Sequence, residues 1–145
     1  MVLGGNGSML NDMKRLVSEL DLNERVNFTG RLSKDEVVNV LHSCNLYCQS
    51  SSYETFSVIC AEALMTGTPV VVSNVGGVRE FVNEFNGVLV DKLEVPDWTM
   101  ALESCYSNYD KFNKNEISNQ CIEKFNSESV GKLYYSELMK VVNEK

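Results

Sequence analysis

A single histidine, a shortage of positive charge and the lack of any long apolar run set the first limits on this chain of 145 residues. His42 has no Ser or Cys nucleophile motif pointing to it. Its place in the last turn of a predicted helix suits a surface or capping cation better than a catalytic base. Thirteen Lys and Arg against twenty Asp and Glu leave a net charge of −7. A general nucleic-acid or anionic-membrane surface needs clustered positive charge, so that class is excluded, although a local pocket for one phosphate group is not. No stretch approaches the ~20 apolar residues of a membrane helix. The opening Met1-Val2-Leu3-Gly4-Gly5 has neither the basic nor the apolar region of a signal peptide. The five cysteines are an odd number without paired metal-type spacing. They read as reduced and structural, in a cytoplasmic protein with no metal site. Apolar residues at 43% and charged residues at 23% rule out disorder, collagen and coiled coil, leaving one domain with one core.

What is present alternates between short apolar runs and amphipathic stretches, the pattern of a parallel α/β sheet. Strands are predicted at Val2-Leu3, Val26-Asn27-Phe28, Leu46-Tyr47-Cys48, Pro69-Val70-Val71-Val72 and Val88-Leu89-Val90. Helices are predicted over residues 8–20, from Ser33 to 43, over 56–66, and briefly after Gly76-Gly77 through Phe81 and Val82. Ser33 with Glu36 three residues on forms a capping box. Gly67 suits the position after a helix end, with Pro69 stopping the helix beyond it. From about Pro96 the pattern is helical only, over 98–106, 117–125 and 129–142. The predicted fold is α/β, a Rossmann-like parallel sheet of about five strands flanked by helices. Residues 1–145 form one domain, of which 93–145 is the helical tail.

In open parallel sheets, ligands bind on the loops beyond the carboxyl ends of the strands. Three such loops, residues 4–8, 50–57 and 73–78, are rich in Gly, Ser and Thr. Small residues let backbone N–H groups approach an anion, and the helix N-termini behind them add partial positive charge. Glycines serving turn geometry alone would give the same pattern. Glu54 and Glu62, with seven residues between them, are the sharper feature. They need not share a helix face, so they do not read as a paired acid and base. They would reach two points of one elongated ligand, each carboxylate accepting hydrogen bonds from vicinal hydroxyls of a ribose or hexose. Two plainer readings stand beside this one: Ser51-x-x-Glu54 as a capping box, and a Glu favoured near a helix N-terminus. Glu62 sits among Val58, Ile59, Ala61, Ala63, Leu64 and Met65, where a carboxylate is costly unless something binds it.

The stretch Ser51-Ser52-Tyr53-Glu54-Thr55-Phe56-Ser57-Val58-Ile59-Cys60-Ala61-Glu62-Ala63-Leu64-Met65-Thr66-Gly67-Thr68-Pro69-Val70-Val71 resembles the E-x7-E signature of the retaining glycosyltransferases of family four, the group-one glycosyl transferases, which have the GT-B fold. Gly4-Gly5-Asn6-Gly7, Val26-Asn27-Phe28-Thr29-Gly30, Gly76-Gly77-Val78-Arg79-Glu80-Phe81-Val82 and Asn86-Gly87-Val88-Leu89-Val90 are similar, in order, to the family's other segments. The last helix resembles its tail, so the likeness covers about residues 2–142. The resemblance implies the C-terminal, donor-binding half of an enzyme that transfers a hexose from a nucleotide diphosphate sugar to a glycan or lipid-linked acceptor. It implies that Glu54 is the catalytic-site residue contacting the sugar hydroxyls, and that Glu62 holds the ribose. The backbone amides of Phe56, Ser57 and Val58, with Thr55 beside them, would face the sugar and diphosphate. Backbone near Arg31 and Leu32 would lie along the base, and the Gly5–Gly7 turn would line the cleft. No metal and no further cofactor is implied, and neither glutamate need be a covalent nucleophile.

Two departures from the family pattern shape the expectations. Thr55 and Ser57 stand where E-G-F-G is common. A β-branched residue at 55 resists positive φ, so the loop is expected to have ordinary backbone angles. The family's donor domain also begins with a strand and helix bearing G-R-L-x-x-x-K-G. Gly30-Arg31-Leu32-Ser33-Lys34 is similar in letters but follows a different strand, so no phosphate role passes to it. The expectation is a C-terminal fragment that lacks this first strand–helix unit and the N-terminal acceptor domain. In the order 3-2-1-4-5-6 the absent strand is central, leaving a closed-up or partner-filled gap. Such a fragment would bind nucleotide weakly and transfer nothing by itself. Its parent would build a surface polysaccharide or glycolipid, peripheral to a membrane. The stripe Tyr134, Tyr135, Leu138 and Val141 on the last helix would be exposed, folded back or used in self-association. Two alternatives stay open, another GT-B enzyme such as a sugar-nucleotide epimerase and a non-catalytic nucleotide-binding or interaction module.

Overall fold

The computed structural model describes residues 1–143. The chain divides into two compact units, Met1–Val40 and Leu41–Lys145. In the first unit, β1 (Val2–Gly4) and β2 (Asn27–Gly30) pair in parallel, joined by α1 (Leu10–Glu19). The helix α2 (Lys34–Ser43) begins on the expected capping box. The Ser33 amide donates to the Glu36 carboxylate at 2.7 Å, and the Glu36 amide donates to Ser33 Oγ at 3.4 Å. Those bonds hold the Glu36 carboxyl below its ordinary value.

The second unit is built on β3 (Tyr47–Gln49), β4 (Val70–Ser73) and β5 (Gly87–Val90), a parallel sheet in the order β3-β4-β5. All four residues of β4 are buried, because a central parallel strand is covered on both faces. On one face lies α3 (Val58–Met65), which packs against β3, β4 and α5 (Lys114–Phe125). Apolar nearly all round, α3 buries Cys60, Ala61, Ala63 and Leu64. It ends in the left-handed cap expected of Gly67, at φ +76°. The Thr68 amide bonds the Ala63 carbonyl at 3.0 Å and the Gly67 amide that of Leu64 at 2.9 Å, a Schellman pair. A second cluster joins Val71 and Val90 to Ala101 and Cys105 of α4 (Val95–Ser107). The last helix, α6 (Ser127–Asn143), buries none of its residues, and Tyr134, Tyr135, Leu138 and Val141 are exposed.

Three expectations need correction. The single sheet of about five strands is two sheets, of two and three strands. A ladder needs continuous backbone partners: β1 bonds β2 alone, and β4 bonds β3 and β5. Next, α3 begins at Val58 rather than at Phe56, so Ser51 and Glu54 frame a loop and no capping box forms there. Finally, the loop does not keep ordinary angles. Thr55 avoids positive φ, but Ser57 is left-handed, with φ +66° and ψ +76°. Ser57 thus adopts a left-handed conformation that favours glycine, and the network described next explains how a serine is held there.

Candidate functional site

The carboxyl ends of β3 and β4 share one edge because the strands are parallel. Residues 50–57 leave β3 at that edge and lead to α3, while Asn74 to Gly77 leave β4 beside them. The two loops are locked together. The Gly77 amide donates to the Thr55 carbonyl at 2.8 Å. A Cβ on Gly76 would lie 1.8 Å from the Glu54 carbonyl oxygen, so only glycine fits. Phe56 stacks with Phe81 and Phe125, its ring centroid 5.1 and 5.4 Å from theirs. These contacts anchor the loop from below.

Above them the Glu54 carboxylate is held at both oxygens. Oε2 accepts from Gln49 Nε2 at 2.8 Å, and Oε1 accepts from the Thr55 amide at 3.0 Å. Each oxygen keeps room for a further donor. The Ser57 hydroxyl is buried and donates to Gln49 Oε1 at 2.6 Å. That bond offsets the ~1–2 kcal/mol cost of a left-handed non-glycine residue. The amides of Phe56, Ser57 and Val58 have no hydrogen-bond partner among the described residues. Those of Ser57 and Val58 are orphan donors of a helix start, with the Phe56 amide just before them, and the helix dipole favours negative charge in front of them.

Glu62 lies one turn inside α3. It is half-buried, so solvent relieves part of the cost that its apolar neighbours suggest. Among the described residues its carboxylate makes no hydrogen bond or ion pair. Tyr47, on β3, feels both glutamates. Burial raises its phenol above the ordinary range first of all, and the nearby charges of Glu54 and Glu62 add to the rise. Burial likewise pushes the Cys60 thiol up to about 12 and that of Cys121 to about 11. Both are protonated at neutral pH and offer no thiolate nucleophile.

The first unit holds the remaining sequence candidates. Gly5 has φ +120°, and its amide donates to the Gly30 carbonyl at 2.7 Å. The Gly7 carbonyl accepts from the Leu10 amide at 3.1 Å, closing the turn that precedes α1. Arg31 is exposed and Leu32 half-buried, just past β2. Gly5 and Gly7 border a cavity of about 120 Å³ with Leu3, Leu10 and Phe28. That space is below the ~300 Å³ of a pocket that encloses a ligand. Among the described residues no three His, Cys, Asp or Glu side chains cluster as a metal site, and no helix is long and apolar enough to cross a membrane.

Sequence reasoning did not find Gln49 or Tyr47. The available signal was their i, i+2 spacing in a strand, which puts both side chains on one face beside the loop.

Known proteins share this architecture. Residues 1–124 match the family described as glycosyl transferases group 1. The D-inositol 3-phosphate glycosyltransferase of Mycobacterium sp. strain KMS is 36% identical over 112 residues, which are 74% of this chain and 26% of that protein. The chain therefore spans about a quarter of the length of that curated relative. Among solved structures, the lipopolysaccharide outer core galactosyltransferase WaaB superposes with a TM-score of 0.84 at 23% identity, over 96% of this chain and 40% of that one. HepE of Anabaena in complex with UDP-glucose gives a TM-score of 0.79 at 22% identity, over 96% and 40%. These structures share the parallel, helix-flanked fold of GT-B enzymes. With its motifs in order and the family match running from the first strand into α5, this chain belongs to the group 1 glycosyl transferases.

Proposed function

We propose that the chain is the donor-binding part of a retaining glycosyltransferase. It takes a nucleotide diphosphate sugar and presents a hexose to a glycan or lipid-linked acceptor. One observation carries the reading: a helix with a buried apolar surround bears a carboxylate, Glu62, that no described residue satisfies. A ribose diol supplies the two donors that such a group lacks. Glu54 turns its remaining acceptor sites to the sugar hydroxyls. Charge developing on the leaving diphosphate meets the amides of Phe56, Ser57 and Val58 and the dipole of α3. In the first unit, the Gly5–Gly7 turn and the backbone at Arg31 and Leu32 contribute to donor binding by the family resemblance. The names of similar proteins support a sugar nucleotide as ligand, since HepE is known with UDP and UDP-glucose and WaaB is a galactosyltransferase.

No metal is needed in this scheme, because positive ends of dipoles face the phosphates. The acceptor side belongs to a longer cytoplasmic protein, peripheral to a membrane and engaged in polysaccharide or glycolipid synthesis. The chain by itself is expected to form no product when offered UDP-, GDP- or ADP-glucose with a sugar acceptor. Chromatographic detection of a transferred hexose would overturn that expectation. A thermal-shift comparison of UDP, GDP and ADP identifies the base. Glu62→Ala is then expected to weaken binding of the preferred nucleotide by about 1–3 kcal/mol. Calorimetry giving equal affinities for the variant and the unsubstituted chain would remove the ribose role.

A further inference from the structure

Gln49 ends β3 with every hydrogen-bonding position of its side chain in use. Its Nε2 donates to Glu54 Oε2 at 2.8 Å and to Ser51 Oγ at 3.0 Å. Its Oε1 accepts from Ser57 Oγ at 2.6 Å and from the Tyr47 hydroxyl at 3.1 Å. An amide has two donor and two acceptor positions, and all four are filled. The orientation of the group follows from chemistry. Turned over, its carbonyl would face the Glu54 carboxylate, which has no proton to give, whereas the hydroxyls of Ser51, Ser57 and Tyr47 can adapt to either arrangement. Among the described residues, Gln49 is the one side chain that bonds the Glu54 carboxylate; the other partner is the Thr55 amide of the same loop. Through the Ser57 hydroxyl, Gln49 also grips the left-handed residue that precedes α3.

We propose that Gln49 is a positioning residue. It fixes the direction of the Glu54 carboxylate and thereby the hold of this chain on the sugar of a nucleotide sugar, as distinct from the nucleotide. The inference rests on the reading that Glu54 faces the sugar. A carboxylate aimed in advance by a side chain on a strand need not be ordered when the ligand arrives. The nucleotide is held by Glu62 and the loop amides, which Gln49 reaches only through its bond to Ser57, so a variant that keeps an acceptor for Ser57 leaves nucleotide affinity unchanged.

The test measures, by calorimetry on the full chain, binding of whichever of UDP, GDP and ADP gives the largest thermal shift, and of its glucose conjugate. Gln49→Glu keeps the side-chain shape and an acceptor oxygen for Tyr47 and Ser57 but turns the donor facing Glu54 into a second carboxylate oxygen. Gln49→Leu removes all four bonds. Both variants are expected to lose about tenfold in affinity for the sugar nucleotide. For Gln49→Glu, which keeps the acceptor for Ser57, binding of the bare nucleotide should change by less than about twofold, whereas Gln49→Leu also frees Ser57 and should weaken both ligands. Adding Glu54→Ala to Gln49→Glu should cost little more than Glu54→Ala alone, because the two residues act through one contact. In Gln49→Glu, equal losses for both ligands, or no loss for either, would show a structural role only and overturn the proposal. If the unsubstituted chain binds none of the three nucleotides, the donor reading fails and takes this inference with it, a result distinct from selective binding lost or kept.

Discussion

Replacing Gly76 by alanine is expected to lower the melting temperature by about 10 °C or more and to displace the loop that carries Glu54. Two independent costs combine. Gly76 has φ +61°, a conformation that costs an L-residue ~1–2 kcal/mol. The added methyl group would also lie 1.8 Å from the Glu54 carbonyl oxygen and 2.7 Å from its carbon. Neither atom is the end of a flexible side chain, so backbone must move, at a cost of ~1–3 kcal/mol. The movement acts on the bond from the Gly77 amide to the Thr55 carbonyl, and so on the placement of Glu54. Gly131→Ala is the matched control. It lies in α6 with nothing within 4 Å of its Cβ position. There the change should stabilise the helix by ~0.5–1 kcal/mol, the usual advantage of Ala over Gly. Circular-dichroism melts in which the two variants behave alike would contradict the packing of the two loops.

Leu64→Ala is expected to cost ~2–5 kcal/mol, measured as a shift in urea midpoint at unchanged slope. Leu64 is 1% exposed and lies on the helix that fills the space between the sheet and α5. Its removal leaves a cavity on a helix face whose neighbouring residues, Cys60 and Ala63, have no exposed surface themselves. The surroundings collapse only partly, and the cavity term adds to the lost transfer energy. Leu133→Ala, at a leucine 61% exposed on α6, should stay within ~0.5 kcal/mol of the parent. A Leu64→Ala midpoint equal to that of Leu133→Ala would mean that α3 is not the core of its unit.

Local features that depend on neighbours in the chain were legible beforehand. The Ser33–Glu36 capping box, the left-handed Gly67 after α3 and the buried Val70-Val71-Val72 strand each follow from a few adjacent side chains. The position of Glu54 in the loop before a helix and of Glu62 within that helix was legible for the same reason. What escaped was the conformation of Ser57. Sequence alone says that serine disfavours positive φ, and only the Gln49 side chain, eight residues away, reverses that preference.

By composition, periodicity and motif order the sequence determined the class of the fold, its strands and helices, and the family of the chain. These are short-range properties, set by side-chain period and backbone preference. The division of five strands into two sheets, the glycine contact that seats the Glu54 loop, and the four-way grip of Gln49 were decided only in three dimensions. Each depends on groups brought together by folding, whose pairing energy no local pattern encodes.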